Sequence, residues 1–97
     1  MFINTVVFVT ACGDGFVGGF NRSSKGHTHG AISSIGKVNK TQCLALCIAK
    51  DACRGVDYEI AARSCYFHTA ATLRANPLRP NPDVDQYRIY CTSGMYS

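Results

Sequence analysis

The absences in this chain narrow its function before any motif does. No stretch of its 97 residues is long and apolar enough to span a bilayer as a helix. There is no CxxC pair, the usual spacing of a thiol redox catalyst. The glycines between Gly13 and Gly30 are followed by neither a Lys-Ser/Thr pair nor a dinucleotide pattern, so they build no phosphate cradle. Local spacing offers no Ser-His-Asp set and no paired carboxylates, which leaves an enzyme as a distant third reading. The net charge of +4 is modest and scattered; it argues against nucleic acid and only weakly for an acidic glycan or acidic protein. No cofactor is indicated. His27-Thr28-His29 could present two imidazoles on one side as a metal pair, but no third ligand is evident.

What the chain does have is cysteine. Six cysteines, an even count in a small chain, point to an oxidising compartment and a secreted protein. A core of this size leaves a thin margin of stability, so bridges matter to it and their reduction is expected to unfold the protein. Two glycosylation sequons agree with that setting, Asn21-Arg22-Ser23 and Asn39-Lys40-Thr41. Asn39 is needed as a helix cap, which makes Asn21 the expected acceptor. Residues 1–11, MFINTVVFVTA, read either as a first strand or as a signal remnant with Val9 and Ala11 at the small-residue positions before a cut. Val9-Thr10-Ala11-Cys12 also has the look of a lipoprotein box. Residues 12–97 are expected to form one domain.

The organising stretch is Asn39 to Tyr58, NKTQCLALCIAKDACRGVDY. Asn39 is a good N-cap, and Gln42 stands three residues on, where it can reach back in a capping box. Val38 and Cys43 have the spacing of a hydrophobic staple. The helix body, Thr41 to Lys50, has no Gly or Pro and holds Leu44, Ala45, Leu46 and Ala49; Lys50 in the last turn suits the dipole. Cys43 and Cys47, four apart, lie on one face, which looks inward if both are bridged. CxxxC followed by five residues and a further Cys is not a common zinc spacing.

That pattern resembles the PAN/apple domain family. The features that carry the resemblance are the helix cysteines, Gly55-Val56-Asp57-Tyr58 after Cys53, and Asp85-Gln86-Tyr87 before Cys91. The resemblance implies an α+β fold, a curved antiparallel sheet cradling one helix. It also implies the bridges Cys12–Cys91, Cys43–Cys65 and Cys47–Cys53, whereas spacing alone leaves every pairing of the six open.

Outside the helix, strands are expected around Phe16–Phe20, at Ala31–Ile35, Arg54–Glu59, Ser64–Thr69 and Tyr87–Thr92, with a mobile loop between the first two. Thr72–Asp83 carries Pro77, Pro80 and Pro82, so it reads as an extended exposed loop. Alternation sorts the faces. If Val56, Tyr58, Cys65, Phe67, Tyr87 and Ile89 point inward, then Asp57, Tyr66, His68, Arg88 and Tyr90 form one polar-aromatic outer face. Such a face suits a sugar, with rings stacked on C–H groups and directed bonds to hydroxyls. It suits a protein partner as well. The first functional reading is a secreted, non-enzymatic glycan-binding module. The second is a protein-binding or adhesion module of an extracellular matrix or cuticle-type assembly, with self-association into homo-oligomers left open.

Overall fold

The computed structural model describes residues 16–93. The expectations for residues 1–11 and for Cys12 therefore lie outside the described residues. The capping box is present: the Asn39 side chain accepts from the Gln42 N–H at 2.8 Å, and the Asn39 N–H donates to Gln42 Oε1 at 2.9 Å. Two amides that a helix start leaves without partners are thereby satisfied. Helix α1 runs Lys40–Ala49 from this cap and turns Cys43 and Cys47 inward, both fully buried. Lys50 is its C-cap rather than part of its last turn, and the ammonium lies 5.0 Å from the centroid of the Phe67 ring.

The helix packs on a five-stranded antiparallel sheet in the order β1-β7-β4-β5-β3. These strands are β1 (Phe16–Ser23), β3 (Ser33–Ile35), β4 (Gly55–Glu59), β5 (Ser64–His68) and β7 (Val84–Ser93). Central β4 places Val56 opposite Phe67 and Tyr87, and Tyr58 opposite Cys65. Those residues, with Val38, Cys43, Cys47 and Cys53, are the core between sheet and helix. Tyr58 keeps its hydroxyl satisfied there by donating to the Val38 carbonyl at 2.7 Å.

Two bridges staple this layer. Cys43–Cys65 ties α1 to β5 and Cys47–Cys53 ties its end to the turn before β4, with Cα–Cα distances of 5.6 and 5.3 Å. They are the pairings the family resemblance implies. No described cysteine is free, and the partner implied for Cys91 is Cys12, outside the described residues. The α+β architecture is thus as expected: an antiparallel sheet with its principal helix across one face.

Two segments differ from expectation. Thr72–Asp83 does not run as one extended loop, because its start belongs to a second helix, α2 (Ala70–Ala75). Thr69 caps α2 through a reciprocal pair with Thr72, and Ala70, Ala71, Leu73 and Ala75 are good helix formers. The signal was masked because the strand pattern of β5 runs straight into it. After the helix, β6 (Arg79–Pro80) pairs with β2 (Gly26–His27), so the loop after β1 is held in a small second sheet. Pro80 is tolerated because this ribbon is short and exposed. Among the described residues, no helix is long and apolar enough to cross a membrane.

Candidate binding cleft

The sheet face away from α1 carries the residues singled out by alternation. Asp57 stands between Tyr66 and Gln86, Gly55 between His68 and Arg88, and Tyr90 opposite Gly19. The five expected residues, Asp57, Tyr66, His68, Arg88 and Tyr90, do share one side of the sheet. The side is not open to water, however. Asp57 is 3 % exposed and His68 0 %, together with Gln86 at 0 % and Thr28 at 3 %. The expectation of a solvated polar face is corrected at Asp57 and His68. The segment after β2 lies over Asp57, and α2 lies over Gly55, where a Cβ would come within 3.1 Å of Leu73 Cδ1.

Burial of a carboxylate requires donors, and three elements supply them. Asp57 Oδ1 accepts from Gln86 Nε2 at 2.8 Å. Asp57 Oδ2 accepts from the Thr28 backbone N–H at 3.0 Å and lies 2.8 Å from His68 Nε2. Gln86 Nε2 also donates to Thr28 Oγ1 at 2.8 Å, while Gln86 Oε1 accepts from Arg88 Nε at 2.7 Å. His68 Nδ1 is 3.1 Å from Thr72 Oγ1. The Thr72 hydroxyl also lies 3.1 Å from the Thr69 carbonyl, to which it donates. The cluster thus pins the Thr28 segment and α2 to the sheet at once.

Beside this cluster opens a cleft of about 280 Å³. The sheet contributes Asp57, Glu59 and Tyr66 to its lining, the segment over the sheet contributes His27 and His29, and Asn81 lines it as well. The Tyr66 hydroxyl donates to Glu59 Oε1 at 3.2 Å. Burial and this bond to a carboxylate raise the Tyr66 hydroxyl above its ordinary pKa, so it remains a donor. The His27 and His29 rings meet edge to face with centroids 4.9 Å apart. His27 Nδ1 is buried with no hydrogen-bond partner among the described residues. Among the described residues, no group of three His, Cys, Asp or Glu side chains is arranged to hold a metal ion. Gly30 follows at φ +94°, a conformation costly to other residues, and a Cβ there would lie 3.0 Å from Asn76 Nδ2.

An ion pair steadies the turn that leads into β2. Asp85 accepts from Arg22 Nη2 at 2.8 Å and from the Lys25 N–H at 3.0 Å. Burial alone would raise the Asp85 carboxyl, but the Lys25 N–H and the Arg22 guanidinium outweigh it and hold the pKa below the ordinary value.

Of the expected face, Asp57 and Tyr66 reach the cleft, His68 supports Asp57 from behind, and Arg88 and Tyr90 lie outside the lining. Arg88 is engaged with Gln86, and Tyr90 packs across Gly19 on β1, 43 % exposed. Asn21 is exposed on β1, whereas the Asn39 carbonyl is committed to the helix cap. Thr28, Gln86, Glu59 and Asn81 are not among the binding residues expected from sequence, where Gln86 stands only in the Asp85-Gln86-Tyr87 motif. Glu59 had a signal, since it follows Asp57 by two residues on the same strand face; Thr28 and Asn81 had none. In comparison with family models, residues 16–91 match the PAN domain. No curated protein matches the chain.

Proposed function

The chain belongs to the PAN domain family, modules that mediate protein or carbohydrate contacts, and on that premise we propose a secreted, non-enzymatic glycan-binding module. The observation that carries the reading is the cleft, where one aromatic ring and several hydrogen-bonding side chains converge over about 280 Å³. A sugar ring has C–H surface to stack on Tyr66 and hydroxyls to meet Glu59, Asn81 and the two imidazoles. The buried cluster under the cleft holds its walls, which lowers the ordering cost of binding. In this reading Tyr66 contacts the ligand, Asp57 and His68 position the wall, and Arg88 acts through Gln86. Tyr90 extends the contact surface toward β1. Asn21, exposed within its sequon, carries an N-linked glycan.

A glycan array read with and without competing free sugar tests this, with Tyr66→Ala as the control. Saturable, competable binding that Tyr66→Ala removes while the melting temperature holds is the expected result. A blank array together with pull-down of one extracellular protein would replace the glycan by a protein partner.

A further inference from the structure

We infer that the group held in the cleft is a protonated primary amine carried on a sugar ring, so that the ligand is an amino sugar rather than an acidic or N-acetylated one. The inference rests on the reading of the cleft as the binding site. Its first ground is how charge is segregated. The chain has ten Lys and Arg against six Asp and Glu. None of the ten lines the cleft, whereas Asp57 and Glu59 both do. A sulfated or carboxylated sugar would bring like charge into this partly desolvated space and find no Lys or Arg there.

The second ground is the different state of the two carboxylates. Asp57 has both oxygens engaged by Thr28, Gln86 and His68. Among the described residues, Glu59 receives only the Tyr66 hydroxyl, on Oε1. Among the described residues the ion pair made by an Arg or Lys is Arg22–Asp85, so Glu59 has no Lys or Arg partner there. The Tyr66 hydroxyl bond holds ring and carboxylate side by side. An aromatic face next to an oriented carboxylate is the pair of groups that recognises an ammonium, by cation–π attraction and a charge-assisted hydrogen bond.

The third ground favours a sugar over a lysine side chain as the source of the amine. Asn81, His27 and His29 bring hydrogen-bonding side chains around the same space, which match ring hydroxyls; an alkyl stem would leave them without partners. The volume, about 280 Å³, lies at the small end of ligand sites, which run roughly 300–1,000 Å³, and suits one ring.

Calorimetric titration of the whole protein with three probes tests the inference: a glucosamine oligomer, the N-acetylglucosamine oligomer of equal length, and Nα-acetyl-lysine amide. The protein itself is cationic, so net charge opposes the first probe and only a local acidic site can favour it. The glucosamine oligomer is expected to bind at least about tenfold more tightly than its acetylated counterpart, the ratio one charge-assisted bond supplies. Glu59→Gln, which keeps an acceptor for Tyr66, is expected to bring that ratio near one with an unchanged melting temperature. Equal affinity for both oligomers, lost in Tyr66→Ala, would overturn the ammonium inference while the cleft reading stands. Binding of neither oligomer, or binding that Tyr66→Ala leaves intact, would overturn both. Lysine amide matching the glucosamine oligomer would overturn the sugar as the source.

Discussion

Asp57→Asn is the sharpest probe of the buried cluster, because no orientation of the new amide satisfies its neighbours. With the amide oxygen toward Gln86, the new NH₂ faces the Thr28 N–H, which loses its acceptor. His68 can adapt to that arrangement by accepting at Nε2 and donating from Nδ1 to Thr72 Oγ1, whose hydroxyl then donates to the Thr69 carbonyl 3.1 Å away. The Thr28 amide cannot adapt. With the amide oxygen toward Thr28 instead, Gln86 must turn its own oxygen inward and set its NH₂ against Arg88 Nε. Either way one buried donor is orphaned, at about 1–3 kcal/mol, and the remaining bonds lose the carboxylate charge, at roughly 0.5–1 kcal/mol each. The expected loss is about 2–5 kcal/mol out of a total stability of roughly 5–15 kcal/mol. Thr28→Val keeps the backbone bond to Asp57 and leaves Gln86 one acceptor, so it should cost less, about 0.5–1.5 kcal/mol. Urea unfolding under non-reducing conditions measures both, and an unchanged slope would show that compactness is preserved. An Asp57→Asn midpoint indistinguishable from the parent, or a larger loss in Thr28→Val, would refute the reasoning.

Three further outcomes follow from the geometry. Asn39→Ala should lower stability by about 0.5–2 kcal/mol through loss of the cap, with ligand binding kept; coincident urea midpoints would show that the cap is dispensable. Reduction should unfold the protein, since loop closure gives the bridges of sequence separation 6 and 22 about 2.2 and 3.4 kcal/mol; an unchanged near-ultraviolet circular dichroism spectrum in dithiothreitol would contradict this. Asp85 has its pKa lowered in the folded state, so its stabilisation is complete above the unfolded carboxylate range of roughly pH 4 and fades as pH falls through the folded value. Parent and Arg22→Ala should therefore differ in melting temperature near neutrality and converge in acid, and parallel curves down to low pH would count against the pair.

Helix α1 and the inward face of its cysteines were legible because their signals are local, whereas the pairing of those cysteines was implied by the family resemblance. Asn39 and Gln42 are three residues apart, and Cys43 and Cys47 stand one turn apart, so the cap and the inward face follow from helix geometry alone. Helix α2 had a local signal too, the reciprocal pair of Thr69 and Thr72. It was obscured because its first residues continue the run of β5 and because the prolines beyond argue for a loop.

The sequence by itself determined which side of the sheet each residue takes. Alternation has a period of two, and it placed Asp57, Tyr66, His68, Arg88 and Tyr90 together as the strand register has them. Only the tertiary structure decided which of them meet water. Thr28 reaches Asp57 across 29 positions of chain and Gln86 reaches Thr28 across 58, and no local pattern encodes contacts of that range. Strand periodicity specifies a direction relative to the sheet, whereas exposure depends on what other segment lies over that side. The Thr28 segment and α2 close over Asp57 and His68 because a buried carboxylate needs donors that its own strand cannot provide. The cleft at Tyr66 and Glu59 is the part of the face that they leave open.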